Sequence, residues 1–247
     1  METLQTTFIH TSDLQLGMTR WFLNAEAQSR YDDSRLNSLE KLDALAQESG
    51  AEFIVIAGDV FESNSLSPRV MGRIKEELSR ISVPVYLLPG NHDPLVADSI
   101  FFNELSSESL PNIHVIADSQ PIPVKDNIEI VGAPLRDKMA SCDLVAAALA
   151  PLGQAAGIRI GVGHGQVQGW GDAEKLDTID LAGVEEAIND GIIDYLALGD
   201  THSTQNLGNS GAVWFSGSPE TTDFKHLPSG GGESDSGNAL VVTISKQ

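Results

Sequence analysis

The chain has 247 residues, 41% of them hydrophobic, which is ample for a buried core and ordinary for a globular protein. Fifteen basic residues against 35 acidic ones leave a formal charge of −20, which opposes nonspecific attraction to a polyanion such as DNA. One cysteine, Cys142, excludes an internal disulfide, and no run approaches the roughly 20 apolar residues of a membrane helix, so a soluble cytoplasmic protein is expected.

Residues 1–9 have no basic start and no long apolar core, so no secretory signal is expected. Residues 7–10 read as a short strand, with Thr11-Ser12-Asp13-Leu14-Gln15 as its loop. Over 34–48, Leu36, Leu39, Leu42, Leu45 and Ala46 form the broad apolar stripe of a helix that Gly50 stops. Residues 53–57 are a second apolar strand running into Gly58-Asp59-Val60-Phe61-Glu62. Ser67-Pro68 opens a further helix, serine as the cap and proline in the first turn. Its Arg69, Arg73 and Arg80 are interleaved with Glu76 and Glu77, which predicts a solvated face. The apolar run 83–88 is a buried strand that ends in a tight turn at Pro89-Gly90-Asn91-His92-Asp93.

From Ile113 the spacing tightens: residues 113–116, 121–124 and 128–132 predict close-spaced strands in an antiparallel patch. Residues 141–149 predict an alanine-rich helix containing Cys142 as a small buried residue. Residues 159–163 form a strand ending at His164, Asp180 caps another helix, and 192–198 form a strand ending in Gly199-Asp200-Thr201-His202. The strand 212–216 enters Gly217-Ser218-Pro219-Glu220, residues 228–237 make a mobile glycine-serine loop, and 239–245 close the chain as a strand. No repeat or boundary interrupts the alternation, which predicts one α/β domain over 1–247.

Five predicted strands end in groups that can ligate a metal: Asp13 and Gln15; Asp59; Asn91 and His92; His164; Asp200 and His202. Ligands of an α/β sheet bind where strand carboxyl ends converge, so five such ends can assemble one site. The set mixes oxygen and nitrogen donors without a thiolate, which points to manganese, iron or zinc rather than a structural zinc–thiolate site. Within it Asn91 offers a neutral amide ligand and His92 a proton donor, while Asp93 anchors the turn. Arg20, Trp21, Phe22, Arg30, Tyr31 and Arg35 put basic and aromatic groups beside the first motif. Contact with phosphate and a stacked base is one reading of them; packing within their own loop is the favoured one. His10 and His114 lie inside strands and His226 in a late loop, and none matches a ligand position.

The order Asp13-x-Gln15, Gly58-Asp59, Gly90-Asn91-His92-Asp93, Gly163-His164, Gly199-Asp200-Thr201-His202 resembles the calcineurin-like metallophosphoesterases. More narrowly, His10-Thr11-Ser12-Asp13, Ala57-Gly58-Asp59-Val60-Phe61 and Ser216-Gly217-Ser218-Pro219-Glu220 resemble the SbcD-type DNA repair exonucleases, and the resemblance runs over about 8–224. It implies a four-layer αββα sandwich, two mixed sheets flanked by helices, with a two-metal centre that hydrolyses phosphodiesters. It implies that Asp59 bridges both ions, that Asp13, Gln15 and His202 complete one site, and that Asn91, His164 and Asp200 complete the other. His92 would stand just outside, to stabilise or protonate the leaving oxygen. Two such cations acidify water and clamp the attacking and leaving oxygens of an in-line displacement.

The family usually has histidine where this chain has Gln15, and again where it has Asp200. The shift toward oxygen donors favours manganese or magnesium over zinc or iron. SbcD-type relatives continue into a DNA-gripping cap domain and a segment that docks on a coiled-coil, SMC-like ATPase; this chain ends soon after the sandwich should be complete, so no cap is expected. The partners implied are DNA or another phosphodiester and that ATPase, with a homodimer left open and no membrane. Two other functions stay open. One is a phosphodiesterase or phosphatase on a small phosphate ester, which the acidic charge and missing cap favour; the other is a non-catalytic subunit with a degenerate metal site.

Overall fold

Phe53, Ile54, Val55 and Ile56 are all buried, the pattern of a strand enclosed on both faces rather than laid on a surface. In the computed structural model, which describes residues 3–105, 108–168, 176–222 and 233–246, this stretch is β2 (Phe53–Ile56). It follows β1 (Leu4–Thr11) and α1 (Ala25–Ser49), and precedes α2 (Pro68–Arg80), β3 (Val85–Leu87), α3 (Ile100–Asn103) and β4 (Ile113–Val115). The second half holds β5 (Ile122–Lys125), β6 (Ile128–Gly132), α4 (Leu144–Leu149), β7 (Ile158–His164) and α5 (Leu181–Asn189). It ends with β8 (Tyr195–Gly199), β9 (Gln205–Leu207), β10 (Val213–Phe215) and β11 (Leu240–Lys246).

The strands form two mixed sheets, ordered β11-β1-β2-β3-β4 and β5-β6-β7-β8-β10-β9. Within them β1 to β4 run parallel, as do β6, β7, β8 and β10; β11, β5 and β9 pair antiparallel at the edges. Side chains alternate across β1 and β2. Ile9, Ile54 and Ile56 face Leu39, Leu42, Met71, Ile74 and Leu78 of α1 and α2. Phe8, Phe53 and Val55 instead meet Ile130, Ile160, Val162 and Tyr195 of the second sheet. That sheet's other face, with Val131, Leu196, Leu198 and Phe215, packs on Val145, Ala148, Val184 and Ala187 of α4 and α5. The outcome is helices, sheet, sheet, helices: the four-layer αββα sandwich.

Ser67 caps α2 and Asp180 caps α5, each side chain accepting from a first-turn N–H, and Gly50 closes α1 at φ 66°, as the sequence predicts. Four expectations are corrected. The helix expected over 34–48 begins at Ala25, because Asn24 caps it with Oδ1 2.9 Å from Ala27 N, ahead of a turn too polar to show an apolar stripe. The antiparallel patch is reduced to the β5–β6 hairpin. β4 pairs parallel with β3, Val85 opposite Ile113, because the connection containing α3 is long enough to be a crossover. Cys142 is exposed and lies before α4, whose cap is Asp143. Of the loop expected to be mobile over 228–237, residues 228–232 lie outside the described residues, as does His226. Residues 233–237 are tied down: Asp235 O accepts from Thr204 N at 2.8 Å, and Gly237 N donates to Ser218 O at 2.8 Å.

His10 pins the two sheets together, its Nδ1 3.0 Å from Tyr195 Oη and its Nε2 3.2 Å from Leu198 O. Burial drives its pKa down to about 3, against the opposing pull of the bond to Leu198. A histidine depressed on folding gives stability that is complete above its unfolded value and is lost as pH falls through the folded one. The window here runs from about pH 6.5 down to about 3. His10→Asn should lower stability at neutral pH by about 1–3 kcal/mol, by leaving a buried partner unpaired. It should also flatten the decline across that window, and urea unfolding at a series of pH values measures both.

Candidate metal centre

The loops after β1 and β2 are zipped together by their backbones. Asp13 N donates to Gly58 O at 3.0 Å, Gln15 N to Asp59 O at 2.9 Å and Leu16 N to Val60 O at 2.9 Å. Following this path puts Asp13, Gln15 and Asp59 at φ 54°, 43° and 52°, and Asp200 beyond β8 stands at 97°. Among the described residues the only other non-glycine at positive φ is Asn127, in the β5–β6 turn. Such backbone costs of order 1–3 kcal/mol per residue and persists where the surroundings over-determine it. Four instances on candidate ligands mark this end of the sheets as the strained one. Gly58 and Gly90 allow the close approach: a Cβ on Gly58 would lie 2.1 Å from His164 Nδ1, and one on Gly90 would lie 2.2 Å from Asp59 Oδ1.

Asp13, Asp59 and His164, all buried, offer ligand atoms that lie within 4.8 Å of one another. His164 Nδ1 is 2.8 Å from Ala57 O, so that nitrogen carries a proton, and Nε2 turns into the site. There Nε2 meets Asn91 Oδ1 at 2.9 Å, Asp59 Oδ1 at 3.4 Å and Asp200 Oδ1 at 3.9 Å. Burial alone would lower the His164 pKa, but the Asp59, Asp13 and Asp200 carboxylates raise it well above its usual value. Burial and the Asp59 charge push Asp13 up; on Asp59 burial is outweighed by His164 and His92, which hold it down. The chamber is electrostatically short of positive charge.

The remaining candidates close around it. Asp200 N donates to both Asp13 carboxylate oxygens, at 3.3 and 3.2 Å. His202 Nε2 is 3.6 Å from Asp13 Oδ1. Gln15 is buried, and among the described residues its Oε1 has no hydrogen-bond partner. An orphaned carboxamide oxygen on the loop that carries Asp13 suits a hard cation. His92 is half-exposed at the rim, its N–H donating to Asp59 Oδ1 at 2.9 Å and its Nε2 3.9 Å from Asp59 Oδ2. Asp93 accepts from Gly90 N at 2.7 Å and Phe61 N at 2.9 Å, the anchoring role expected of it.

Several functional neighbours were not evident from the sequence. Glu62, three residues after Asp59, brings its backbone carbonyl to 3.2 Å and its Oε2 to 3.6 Å from His92 Nδ1. Glu233 and Thr222 face His202 Nδ1 at 3.1 and 2.5 Å. The Ser216-Gly217-Ser218 stretch supports Asp13: Ser218 Oγ donates to Asp13 O at 2.8 Å, and Ser216 Oγ is 2.9 Å from Ser12 Oγ, which donates to Asp13 Oδ2 at 2.5 Å. The basic and aromatic group splits. Arg35 is buried, binding Leu14 O and Thr221 O and lying over the Tyr31 ring, while Arg30 pairs with Glu26 in solvent. Trp21 and Phe22 are 94% and 48% exposed and meet edge to face. On α2, Arg80 pairs with Glu76 and Glu77 in solvent, as the interleaved charges predict.

The family model of the calcineurin-like phosphoesterases matches residues 6–230. A DNA double-strand break repair protein, Mre11 of Archaeoglobus fulgidus, is 30% identical over 109 residues, covering 43% of this chain and 24% of the relative. The chain therefore spans about a quarter of the length of that curated relative. Among solved structures, TT1561 of Thermus thermophilus superposes with a TM-score of 0.56 at 14% identity, over 86% of this chain and 89% of that one. A dimetal phosphatase from Danio rerio gives 0.51 at 12% identity, over 85% of each chain. At these identities the structural likenesses establish the fold.

Crowding around Asp59 makes opposite predictions for two glycines. Gly90→Ala should destabilise the protein by about 1–3 kcal/mol, since the new methyl meets the Asp59 backbone as well as its carboxylate. Gly72→Ala, in open space on the exposed face of α2, should stabilise it by about 0.5–1 kcal/mol. Thermal denaturation of the two variants reads the contrast directly.

Proposed function

Because the chain belongs to the calcineurin-like phosphoesterase family and is a hydrolase of that family, we propose that it is a metal-dependent phosphodiesterase resembling the SbcD-type nucleases, acting on DNA. The observation that carries the reading is the convergence of buried Asp13, Asp59 and His164; Gln15 Oε1, on the loop that carries Asp13, is buried with no partner among the described residues. The donors fit divalent cations. Asp13, Gln15 and His202 would hold one ion, Asn91, His164 and Asp200 a second, with Asp59 shared. When bound, the ions would supply an acidified water nucleophile and charge neutralisation at the phosphoryl oxygens. The neutral amide of Gln15 and the carboxylate of Asp200 tilt the set toward manganese or magnesium.

The protein's own contribution is positional. Ala57 O fixes the His164 tautomer, and the Asp59–His92 N–H bond holds the rim turn over the chamber. Glu62 faces His92 Nδ1, which leaves Nε2 directed at the site beside Asp59 Oδ2. From there a protonated His92 donates its Nε2 proton to the departing oxygen of the ester.

DNA as the substrate rests on the Archaeoglobus relative, whose name gives it a role in double-strand break repair. One observation favours a smaller phosphate ester. The cleft beside Asn91, His164 and Asp200 measures about 330 Å³, within the range of small-ligand sites, and among the described residues lining it Lys138 is the one lysine or arginine. The net charge of −20 points the same way.

With manganese supplied, the protein should hydrolyse bis-p-nitrophenyl phosphate and digest single-stranded DNA. His92→Ala should cut kcat by about 10²–10⁴-fold while manganese uptake is kept. Cleavage of the model diester but not of DNA would transfer the assignment to small esters. Absence of manganese-dependent turnover on both would contradict the hydrolase reading of this site.

A further inference from the structure

We infer that Glu233 is a positioning residue for His202, a carboxylate that keeps the imidazole in the tautomer able to bind a metal; this rests on the metal-centre reading above. The Glu233 side chain is largely buried, its Oε1 3.1 Å from His202 Nδ1. Both its oxygens accept from Thr222 N, at 3.0 and 3.1 Å, and Oε1 also accepts from Thr222 Oγ1. Thr222 Oγ1 in turn lies 2.5 Å from His202 Nδ1. A hydroxyl that has given its proton to Glu233 can only accept from the ring. Both described groups facing Nδ1 are therefore acceptors, so Nδ1 carries a proton and Nε2 is the nitrogen turned toward Asp13 Oδ1, 3.6 Å away.

Without the carboxylate the preference reverses. Thr222 becomes free to donate to Nδ1, and the ring proton moves to Nε2, where it bonds to the Asp13 carboxylate and occupies the position a cation needs. Glu233 thus selects against a locally favourable but unproductive tautomer. It sits on the side of the ring away from Asp13, which makes it an orienting partner and not a ligand. Its backbone is held where His202 is held: Ser234 N donates to Ser203 Oγ at 3.1 Å, and Thr204 N donates to Asp235 O at 2.8 Å. Orienting carboxylates of this kind are worth about 10–100-fold in metal affinity.

The test is calorimetric titration of the full chain with Mn²⁺, paired with ¹⁵N spectra of the His202 ring in the metal-free protein under alkaline conditions, where the ring is neutral. Wild type should show the Nδ1–H form. Glu233→Ala should shift the ring to Nε2–H and raise the dissociation constant of the weaker Mn²⁺ site about 10–100-fold. Glu233→Gln, which keeps an acceptor oxygen but not the charge, should fall between the two and guards against misfolding of the alanine variant. Manganese affinity of Glu233→Ala within about twofold of wild type, or an unchanged Nδ1–H ring, overturns the inference and leaves the metal centre standing. A wild-type protein that takes up no Mn²⁺ overturns both.

Discussion

Two carboxylates, Asp13 and Asp59, are buried within reach of one another, and the rest of the site follows from that repulsion. The backbone bonds Asp13 N–Gly58 O and Gln15 N–Asp59 O prevent them from moving apart. Among the described residues neither forms an ion pair with lysine or arginine; the groups that face them are the imidazoles of His164, His202 and His92. Burying two like charges costs several kcal/mol per ion unless they are compensated. A protein that holds them in place with left-handed backbone at both residues is built around a cation.

The fold makes this arrangement accessible. Strands β1, β2 and β3 of one sheet and β7 and β8 of the other deliver their carboxyl ends to one edge of the sandwich, so residues more than a hundred positions apart in sequence converge without a long loop. His10 bridging Tyr195 and Leu198 fixes the spacing of the sheets just below that edge. Serines 12, 216 and 218 then tie the loop after β10 beneath Asp13, so the second sheet supports a candidate ligand supplied by the first. Stability and function are coupled at this seam.

Much of this could be read from residues alone, because a strand that ends in glycine followed by a polar side chain is a local signal. Asp59 after Gly58, Asn91 and His92 after Gly90, and Asp200 after Gly199 all announce themselves that way. The relations that escaped are non-local. Glu233 approaches His202 from a glycine-serine stretch with no periodicity, and nothing in its flanks predicts a carboxylate pinned by Thr222. The pairing of β4 with β3 depends on a crossover whose short helix, Ile100–Asn103, is too brief to show a repeat. Arg35 reads as part of a loop beside the first motif, yet it is buried on α1, bonded to Leu14 O and Thr221 O and lying over the Tyr31 ring.

Gln15 and Asp200 are where the proposed donor set departs from a histidine-rich one, and both sit on strained backbone. In that proposal, exchanging imidazole for amide and carboxylate oxygen would make the centre harder and more negative, which would suit a labile manganese ion better than a tightly held zinc. The most direct check is anomalous scattering at the manganese edge from a crystal soaked in that metal. Two peaks flanking the Asp59 carboxylate, one toward Asp13 and His202 and one toward Asn91 and His164, are the expected result; a crystal that diffracts well with no peak at Asp59 would contradict it.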